Sequence, residues 1–185
     1  MPRKREMTSR IMASVRSRDT RPEMAVRRRL WALGYRYRVH PKGVIGRPDI
    51  VFMPLRVAVF VDGDFWHGNP HEWRRRGCEK FEDMFPSRKE WWSAKIRRNM
   101  ERDRIVNREL RRAGWCVVRC WERSIERDVE AVVDRIVRAL ERERVRLPGT
   151  CRGAAVGGRG QSVSRRYTVR EVQAKRRRSR SDSER

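Results

Sequence analysis

Two aspartates that flank neighbouring apolar segments could hold a cation. Asp49 opens the segment DIVFM directly after GRP, and Asp62 follows the apolar run RVAVFV in the stretch VDGDFWHG. A hairpin between these segments would bring Val61 and Asp62 beside Asp49. Carboxylate oxygens, completed by waters and phosphate oxygens, are the ligands that Mg²⁺ prefers. The alternative for Asp49 is an aspartate in an ordinary turn.

His67, near the end of the same stretch, has a side chain suited to proton transfer. An unperturbed imidazole titrates close to neutral pH, as hydrolysis requires. One alternative is a histidine in a surface loop. Another is a zinc ligand together with His71 and Cys78, but their irregular spacing and the lack of a CxxC pair disfavour zinc.

Polar residues interrupt the apolar stripe of a long predicted helix. The residues of this stripe are Trp92, Ile96, Asn99, Asp103, Val106 and Leu110. Asn99 and Asp103 therefore fall on a face expected to be buried, where a carboxylate needs a partner or a metal ion. A structural hydrogen bond or an arginine pair is the alternative. Glu23, the last residue of a T-x-x-E capping box, either caps its own helix or points into a metal cleft.

Phe65 and Trp66 precede His67, and the residues alone leave two interpretations open. Adjacent aromatic side chains ordinarily pack in the core. In a protein that binds DNA, an apolar wedge at a loop can instead enter between base pairs and unstack them. Unstacking costs least where the bases are mismatched.

The elements that must position these residues follow the order α-β-β-β-α-β-α. A capping box at Thr20 and a stop at Gly34 delimit the first helix. A second box at Ser87 and a stop at Gly114 delimit the long helix. The predicted strands are Tyr35 to His40, DIVFM, RVAVFV and WCVVRCW, and the last helix begins near Asp128. This order predicts a small mixed sheet flanked by helices, an α/β three-layer sandwich over residues 1–147.

Charge dominates the composition: the 185 residues carry a formal net charge of +24. Such an excess predicts a polyanionic partner, most commonly nucleic acid. An anionic membrane surface is the competing partner, but the sequence has no long apolar segment and no lipidation motif. The four cysteines form no CxxC pair, and no apolar region follows the basic start, so we expect a cytoplasmic protein with reduced thiols.

Residues 148–185 differ in composition from the rest of the chain. They are rich in Gly, Ser and Arg, and contain eleven basic and three acidic residues. Such a segment is predicted to be disordered. It is either a non-specific DNA-binding extension or a solvated tail without a necessary role.

Several motifs in order resemble the very-short-patch repair (Vsr) mismatch endonucleases. These motifs are MTSRIMASVRSRDTRPE, GRPDI, VFVDGDFWHG, WWSAKIRRNMERD and GWCVVRCWE. The resemblance implies the restriction-endonuclease-like fold of PD-(D/E)XK nucleases. It also implies Mg²⁺-dependent nicking 5′ to the T of a G·T mismatch left by deamination of 5-methylcytosine. Two Mg²⁺ ions, a functional link to a cytosine-5 DNA methyltransferase, a nucleoid location and a monomeric state are further expectations of the resemblance.

The resemblance also assigns site residues. Asp49 matches the central metal-binding aspartate, Val61 a residue whose backbone carbonyl contributes to the metal site, and His67 the histidine that activates water. The other active-site matches are Glu23, Asn99 and Asp103. The apolar wedge matches Phe65 and Trp66, with Met12 from the N-terminal segment, residues 1–19, that contacts DNA.

Two positions depart from the pattern of the family. Asp64 and Arg123 stand where better-known members have zinc-binding cysteines, so we predict that this chain lacks zinc. Asp62 stands where those members have a second histidine near the metal ions. It either adds a metal ligand or changes the arrangement for proton transfer.

Two other functions remain alternatives. A nuclease of the same fold could cut fully paired duplex DNA, as restriction enzymes do. A basic protein could also bind DNA without catalysis, but such a protein has no need to keep four polar residues together, namely Asp49, His67, Asn99 and Asp103.

Overall fold

A computed structural model describes residues 18–85 and 87–147. Its sheet has four strands in the order β1-β2-β3-β4. The strands are β1 (Arg38–Val39), β2 (Ile50–Phe52), β3 (Val57–Asp62) and β4 (Cys116–Trp121). The first three strands are antiparallel, and β4 pairs in parallel with β3. The predicted mixed sheet is therefore confirmed.

Five α-helices surround the sheet within the described ranges. They are α1 (Arg21–Ala32), α2 (Pro70–Arg75), α3 (Lys89–Arg112), α4 (Glu122–Arg127) and α5 (Val129–Arg146). Two 3₁₀ turns lie at Met53–Leu55 and Phe81–Met84. The predicted order α-β-β-β-α-β-α holds for the longer elements, and α2 and α4 are short additions to it.

Helices α1, α4 and α5 cover one face of the sheet. The main core contains Ile50 from β2, Val59 from β3 and Val118 from β4, packed against apolar residues such as Val26 and Ile136. Ile136 is fully buried, and burying such a side chain contributes about 1.5–3 kcal/mol. As predicted, Asp128 begins the last helix: its side chain accepts from the Ala131 N–H.

Helix α3 covers the opposite face of the sheet. Ala58, Phe60 and Leu110 are buried there, with Val106 and Val117 packed against them. This smaller apolar layer fills only part of the interface between β3, β4 and α3. The rest of this face carries the polar side chains of the site.

The structure corrects two predicted boundaries. The first strand covers only Arg38–Val39, because Tyr35 and Tyr37 pack against the ring of Phe52 and His40 has a left-handed backbone with φ 42°. The long helix starts at Lys89 rather than at a capping box on Ser87. Its N-cap is Arg88, which has φ 52° and makes no side-chain cap hydrogen bond.

Two predictions fall outside the described residues. The wedge residue Met12, with most of the segment 1–19, is one, and the tail 148–185 is the other. Among the helices of the described residues, none is both long and apolar enough to span a membrane.

Candidate active site

Strand alternation places two polar residues on the α3 side of the sheet. Ala58, Phe60 and Asp62 alternate with the core residues of β3, and Arg119 occupies the same face of β4. Phe60 on β3 pairs with Arg119 on β4, and Asp62 lies two residues beyond Phe60 on the same face of the sheet. A cleft of about 460 Å³ opens at this end of β3.

Asp49 stands at the start of β2 with its carboxylate directed to β3. Its Oδ2 accepts a hydrogen bond from the Val61 N–H at 2.7 Å, and its side chain is 20% exposed. Burial raises the pKa of Asp49, as do the charges of Glu23 and Asp62, and the opposing effects of the Val61 hydrogen bond and the His40 charge leave it at about 6. The groups of the protein around Asp49 therefore compensate its charged form only in part.

The backbone of Val61 faces the same point. In an extended strand the N–H and C=O of one residue point to the same side. Since the Val61 N–H donates to Asp49, its carbonyl is directed to the Asp49 side as well. An oxygen donor set without cysteine suits a hard cation such as Mg²⁺.

His67 and Asp103 form a close pair across the cleft. His67 Nδ1 lies 2.6 Å from Asp103 Oδ2, and the His67 side chain is 23% exposed. Burial alone would raise the pKa of Asp103, but the hydrogen bond with His67 and the charge of Arg119 hold it below its usual value. Because Nδ1 is engaged, Nε2 is the ring nitrogen left for proton transfer.

Gly68 permits the close approach of this loop to α3. It has φ +64°, and a Cβ at this position would lie 2.6 Å from Met100 Sδ. Asn99, one turn before Asp103, donates from Nδ2 to the Trp66 carbonyl at 3.0 Å. Asn99 thus holds the loop rather than lining the cleft, and this contact is the structural hydrogen bond considered as the alternative for the helix stripe.

Glu23 is linked to Asp49 through a histidine that sequence reasoning missed. Glu23 is 2% exposed, and its N–H donates to the Thr20 side chain as the capping box predicts. Its carboxylate points inward, with Oε1 3.3 Å from His40 Nε2, while His40 Nδ1 lies 3.6 Å from Asp49 Oδ1. Of the described residues, Asp19, Glu23 and His40 form the group compact enough for a metal ion.

Arg119 is the second residue that sequence reasoning missed. Its Nε and Nη2 donate to the two oxygens of Asp62, both at 2.6 Å, and Nη2 lies 3.1 Å from Asp103 Oδ1. Since both Asp62 oxygens are engaged, Asp62 is poorly placed to add a metal ligand. The sequence feature that could have identified Arg119 is its position as the single charged residue of the apolar strand WCVVRCW.

Phe65 and Trp66 join an aromatic cluster beside the His67 loop. Their rings contact each other at 5.2 Å between centroids, and Phe65 also contacts Phe85 and Trp92. Both rings are half-buried. Lys95 Nζ lies over the ring of Trp66 at 5.1 Å. The structure therefore shows the two rings packed together with part of each accessible, and the wedge stays a prediction.

Asp64 and Arg123 are hydrogen-bonded to each other. Asp64 Oδ2 accepts from the Arg123 N–H at 2.9 Å, and its other oxygen accepts from Asn69. Glu72, which is buried, lies 3.4 Å from the Arg123 guanidinium. A polar network thus connects the two positions. His71 and Cys78 belong to no compact metal-binding group within the described ranges.

The cleft gathers most of the predicted site. Its lining residues are Gly46, Arg47, Asp49, Phe60, Val61, Asp62, His67, Arg102, Asp103, Val106 and Arg119. Glu23 and Asn99 lie behind this lining. Arg119 is paired with Asp62, whereas Arg47 and Arg102 provide further positive charge beside the aspartates of the cleft, a combination suited to binding a phosphate and a cation together.

The chain is similar to known DNA endonucleases. The family model "DNA mismatch endonuclease Vsr" matches residues 2–75. The chain is 47% identical over 133 residues to the type II nicking enzyme V.NaeI of Lentzea aerocolonigenes, and the aligned region covers 68% of this chain and 74% of the relative. It is 37% identical over 135 residues to V.NmeDIP of Neisseria meningitidis serogroup C, with 73% and 86% covered.

A third relative is the DNA mismatch endonuclease Vsr of Escherichia coli K12, 34% identical over 114 residues, with 62% of this chain and 68% of the relative covered. Fold, site and relatives together define a DNA endonuclease, a hydrolase with a restriction-endonuclease-like fold. The chain belongs to the Vsr family. Membership suggests the use of a divalent metal ion.

Proposed function

We propose that this protein is a Mg²⁺-dependent endonuclease that nicks one DNA strand 5′ to the T of a G·T mismatch. The observation that supports it most is the cleft in which the desolvated Asp49 carboxylate faces the His67–Asp103 pair. The names of the relatives support both nicking and mismatch action.

Asp49 and the Val61 carbonyl would hold Mg²⁺, because they provide oxygen donors at one point of the cleft. When bound, Mg²⁺ polarises the scissile phosphate and lowers the pKa of water. The resemblance implies two ions; Asp49 is the acidic group that would hold them, and Glu23 lies behind it, on the far side of His40. Asp62 is left out of this set.

His67 accepts the proton of the attacking water at Nε2. Asp103 fixes the ring through Nδ1 and stabilises the imidazolium that forms. Arg47 and Arg102 bind the phosphate that enters the cleft. Asp49 would thus hold the cation, His67 would accept the proton, and Arg47 and Arg102 would bind the negative charge of the substrate.

The aromatic cluster accounts for mismatch selectivity in this proposal. Phe65 and Trp66 directly precede His67, and Asn99 ties the Trp66 carbonyl to α3. An apolar wedge beside the catalytic loop would enter the duplex most easily where the bases are mismatched. Met12 completes the wedge in the resemblance.

The test compares two labelled duplexes that differ only in a G·T or a G·C pair, in several sequence contexts with Mg²⁺. We expect one nick, in the T strand of the mismatched duplex. Asp49→Ala should abolish the product, while Glu126→Ala, which removes an exposed carboxylate, should retain it. Cutting of both duplexes would favour a restriction-like nuclease. Binding without product by the unaltered protein would contradict catalysis.

The preferred sequence context would identify the methylation site. We propose that the protein acts as a monomer on sites of a cytosine-5 methyltransferase, where deamination produces the mismatch. Nicking rates across contexts and the mass of the DNA complex test these two points. Equal rates in every context would contradict the link to one methyltransferase.

The zinc prediction has a separate measurement. The Asp64–Arg123 hydrogen bond supports a polar replacement for zinc at these two positions. Metal analysis of the purified protein should find no stoichiometric zinc. One tightly bound zinc per chain would contradict this prediction.

A further inference from the structure

Arg119 is a largely buried guanidinium at the base of the cleft. Its side chain is 19% exposed and that of Asp62 is 4% exposed. The two parallel hydrogen bonds between them, both 2.6 Å long, give the bidentate geometry that only arginine provides. Further contacts to Asn107, at 3.3 Å, and to the Phe60 ring, at 4.7 Å, hold the guanidinium plane in place.

A second ion pair connects Arg119 to the proton-transfer pair. Arg119 Nη2 lies 3.1 Å from Asp103 Oδ1, and the other oxygen of Asp103 lies 2.6 Å from His67 Nδ1. One guanidinium therefore orients the carboxylate that orients the histidine. Burial lowers the pKa of Arg119, but Asp62 and Asp103 outweigh this effect and raise it, so the guanidinium stays charged.

Asp62 is a competing acceptor for the same ring nitrogen. Its Oδ1 lies 3.6 Å from His67 Nδ1, on a strand adjacent to the loop. Without Arg119, two carboxylates would compete for one N–H and would also repel each other in a poorly solvated cleft. With Arg119 in place, the oxygens of Asp62 are occupied and Asp103 alone is close enough to accept from Nδ1.

We propose that Arg119 is a positioning residue of the nicking reaction: by holding Asp62 and Asp103 it directs the His67 Nδ1–H to Asp103 and leaves Nε2 for the attacking water. This inference rests on the proposed role of His67. It assigns a function to Arg119 and to its partner Asp62, the residue that stands where better-known family members have a second histidine.

Kinetics separate positioning from a structural ion pair or a DNA contact. Arg119→Gln should slow single-turnover nicking about 100-fold, because misplacing a catalytic group by about 1 Å has an effect of this size. The Kd for the duplex should change less than about twofold. Arg119→Lys should nick about tenfold faster than Arg119→Gln, because lysine keeps the charge. It should remain slower than the wild type, because lysine cannot bridge two carboxylates. Arg112→Gln, which removes a 70% exposed charge on α3, is the matched control.

The tautomer of His67 provides a readout that does not depend on activity. The chain has three histidines, so nitrogen-15 spectra can be assigned by single substitution. Wild-type His67 should show the Nδ1–H tautomer at a pH where the ring is neutral, and Arg119→Gln should show a mixture. If wild-type protein nicks neither duplex, the proposed function fails, and the tautomer still decides the role of Arg119.

Three results would overturn the inference. They are a wild-type nicking rate in Arg119→Gln, a loss of rate matched by an equal loss of affinity, and an unchanged His67 spectrum. Thermal melts accompany each variant. If Arg119→Gln has no cooperative melt, Arg119→Lys replaces it, and a wild-type rate and tautomer in that variant would overturn the inference equally.

Discussion

Asp49 is held in a position that is unfavourable when no cation is bound. Its pKa rises to about 6 from a usual value of 3.8, mainly through burial. The native state therefore takes up this proton more readily than the unfolded state does, and stability decreases as the pH rises from about 4 to about 6. A site that binds a cation gains from such a carboxylate, at a cost to the stability of the metal-free protein.

Asp49→Asn should stabilise the protein in the absence of divalent ions. At pH 7 we expect a gain of about 2 kcal/mol in the free energy of unfolding, because each pKa unit corresponds to about 1.4 kcal/mol and the side chain is 20% exposed. The amide oxygen can still accept from the Val61 N–H. Urea unfolding with a chelator, at pH 7 and near pH 4, measures this gain.

The pH dependence provides the control for this variant. The gain should shrink as the pH approaches about 4, where the wild-type carboxyl is protonated in the native state. Added Mg²⁺ should stabilise the wild type and leave Asp49→Asn unchanged. A variant less stable than the wild type at pH 7 without metal would show that the carboxylate is well compensated.

The loop that contains Gly46 packs so closely against helix α3 that a side chain at position 46 would have no room. A Cβ on Gly46, which has φ +78°, would lie 2.3 Å from Val106 Cγ1 of α3. Gly43, in the same loop, has φ +91°, and a Cβ added there would meet nothing within 4 Å. The two glycines share the backbone strain and differ only in the clash.

Gly46→Ala and Gly43→Ala should therefore differ in stability. Gly43→Ala should cost about 1–2 kcal/mol from the left-handed backbone alone. Gly46→Ala should cost about 1–3 kcal/mol more, because Val106 and α3 must move. Urea unfolding compares them, and single-turnover nicking should fall in Gly46→Ala alone. Equal costs would mean that the loop, rather than the helix, absorbs the added methyl group.

The N-terminal part of α3 presents an exposed aromatic ring near Trp66, since Lys95 lies over both rings. Trp91 is 42% exposed, with Arg88 over its ring at 4.9 Å and Lys95 at 5.0 Å. Trp31 on α1 is similar in exposure, at 54%, and has Arg36 over its ring at 3.8 Å. Trp31 thus offers a matched control on a different element.

Trp91→Ala should weaken binding of the mismatched duplex about tenfold, since stacking of a base on an aromatic ring contributes about 1–3 kcal/mol. Trp31→Ala should leave the affinity unchanged. Fluorescence anisotropy with a labelled duplex measures both variants. Equal losses in the two variants would assign the effect to a general loss of aromatic surface or stability.

The elements were predictable where one period dominates the sequence. The apolar stripe of α5 and the continuous apolar run of β3 each specify one structure, and both were found. β1 is short because tertiary packing of Tyr35 and Tyr37 overrides strand alternation. Asp49, His67 and Asp103 were recognisable by type and spacing. Arg119 was not, because no pattern tells which of 48 basic residues pairs with which acid.

Charge acts at the scale of the whole molecule. The net charge of +24 is distributed over the chain, and residues 148–185 hold eleven of the 48 basic residues with only three acidic ones. Each phosphate contact contributes about 0.9 to the slope of log K against log salt concentration. The affinity for DNA should therefore be divided between residues 1–147, the predicted endonuclease domain, and this tail.

Removing residues 148–185 should change affinity without changing chemistry. We expect weaker binding of any duplex and a salt slope shallower by at least about 2, because several phosphate contacts are lost. The ratio of affinities for mismatched and matched duplexes should stay constant, since the wedge and the cleft belong to residues 1–147. The single-turnover nicking rate at saturating protein should also stay constant. Titrations at several salt concentrations measure the slope, and an unchanged slope would identify the tail as solvated and without a role in binding.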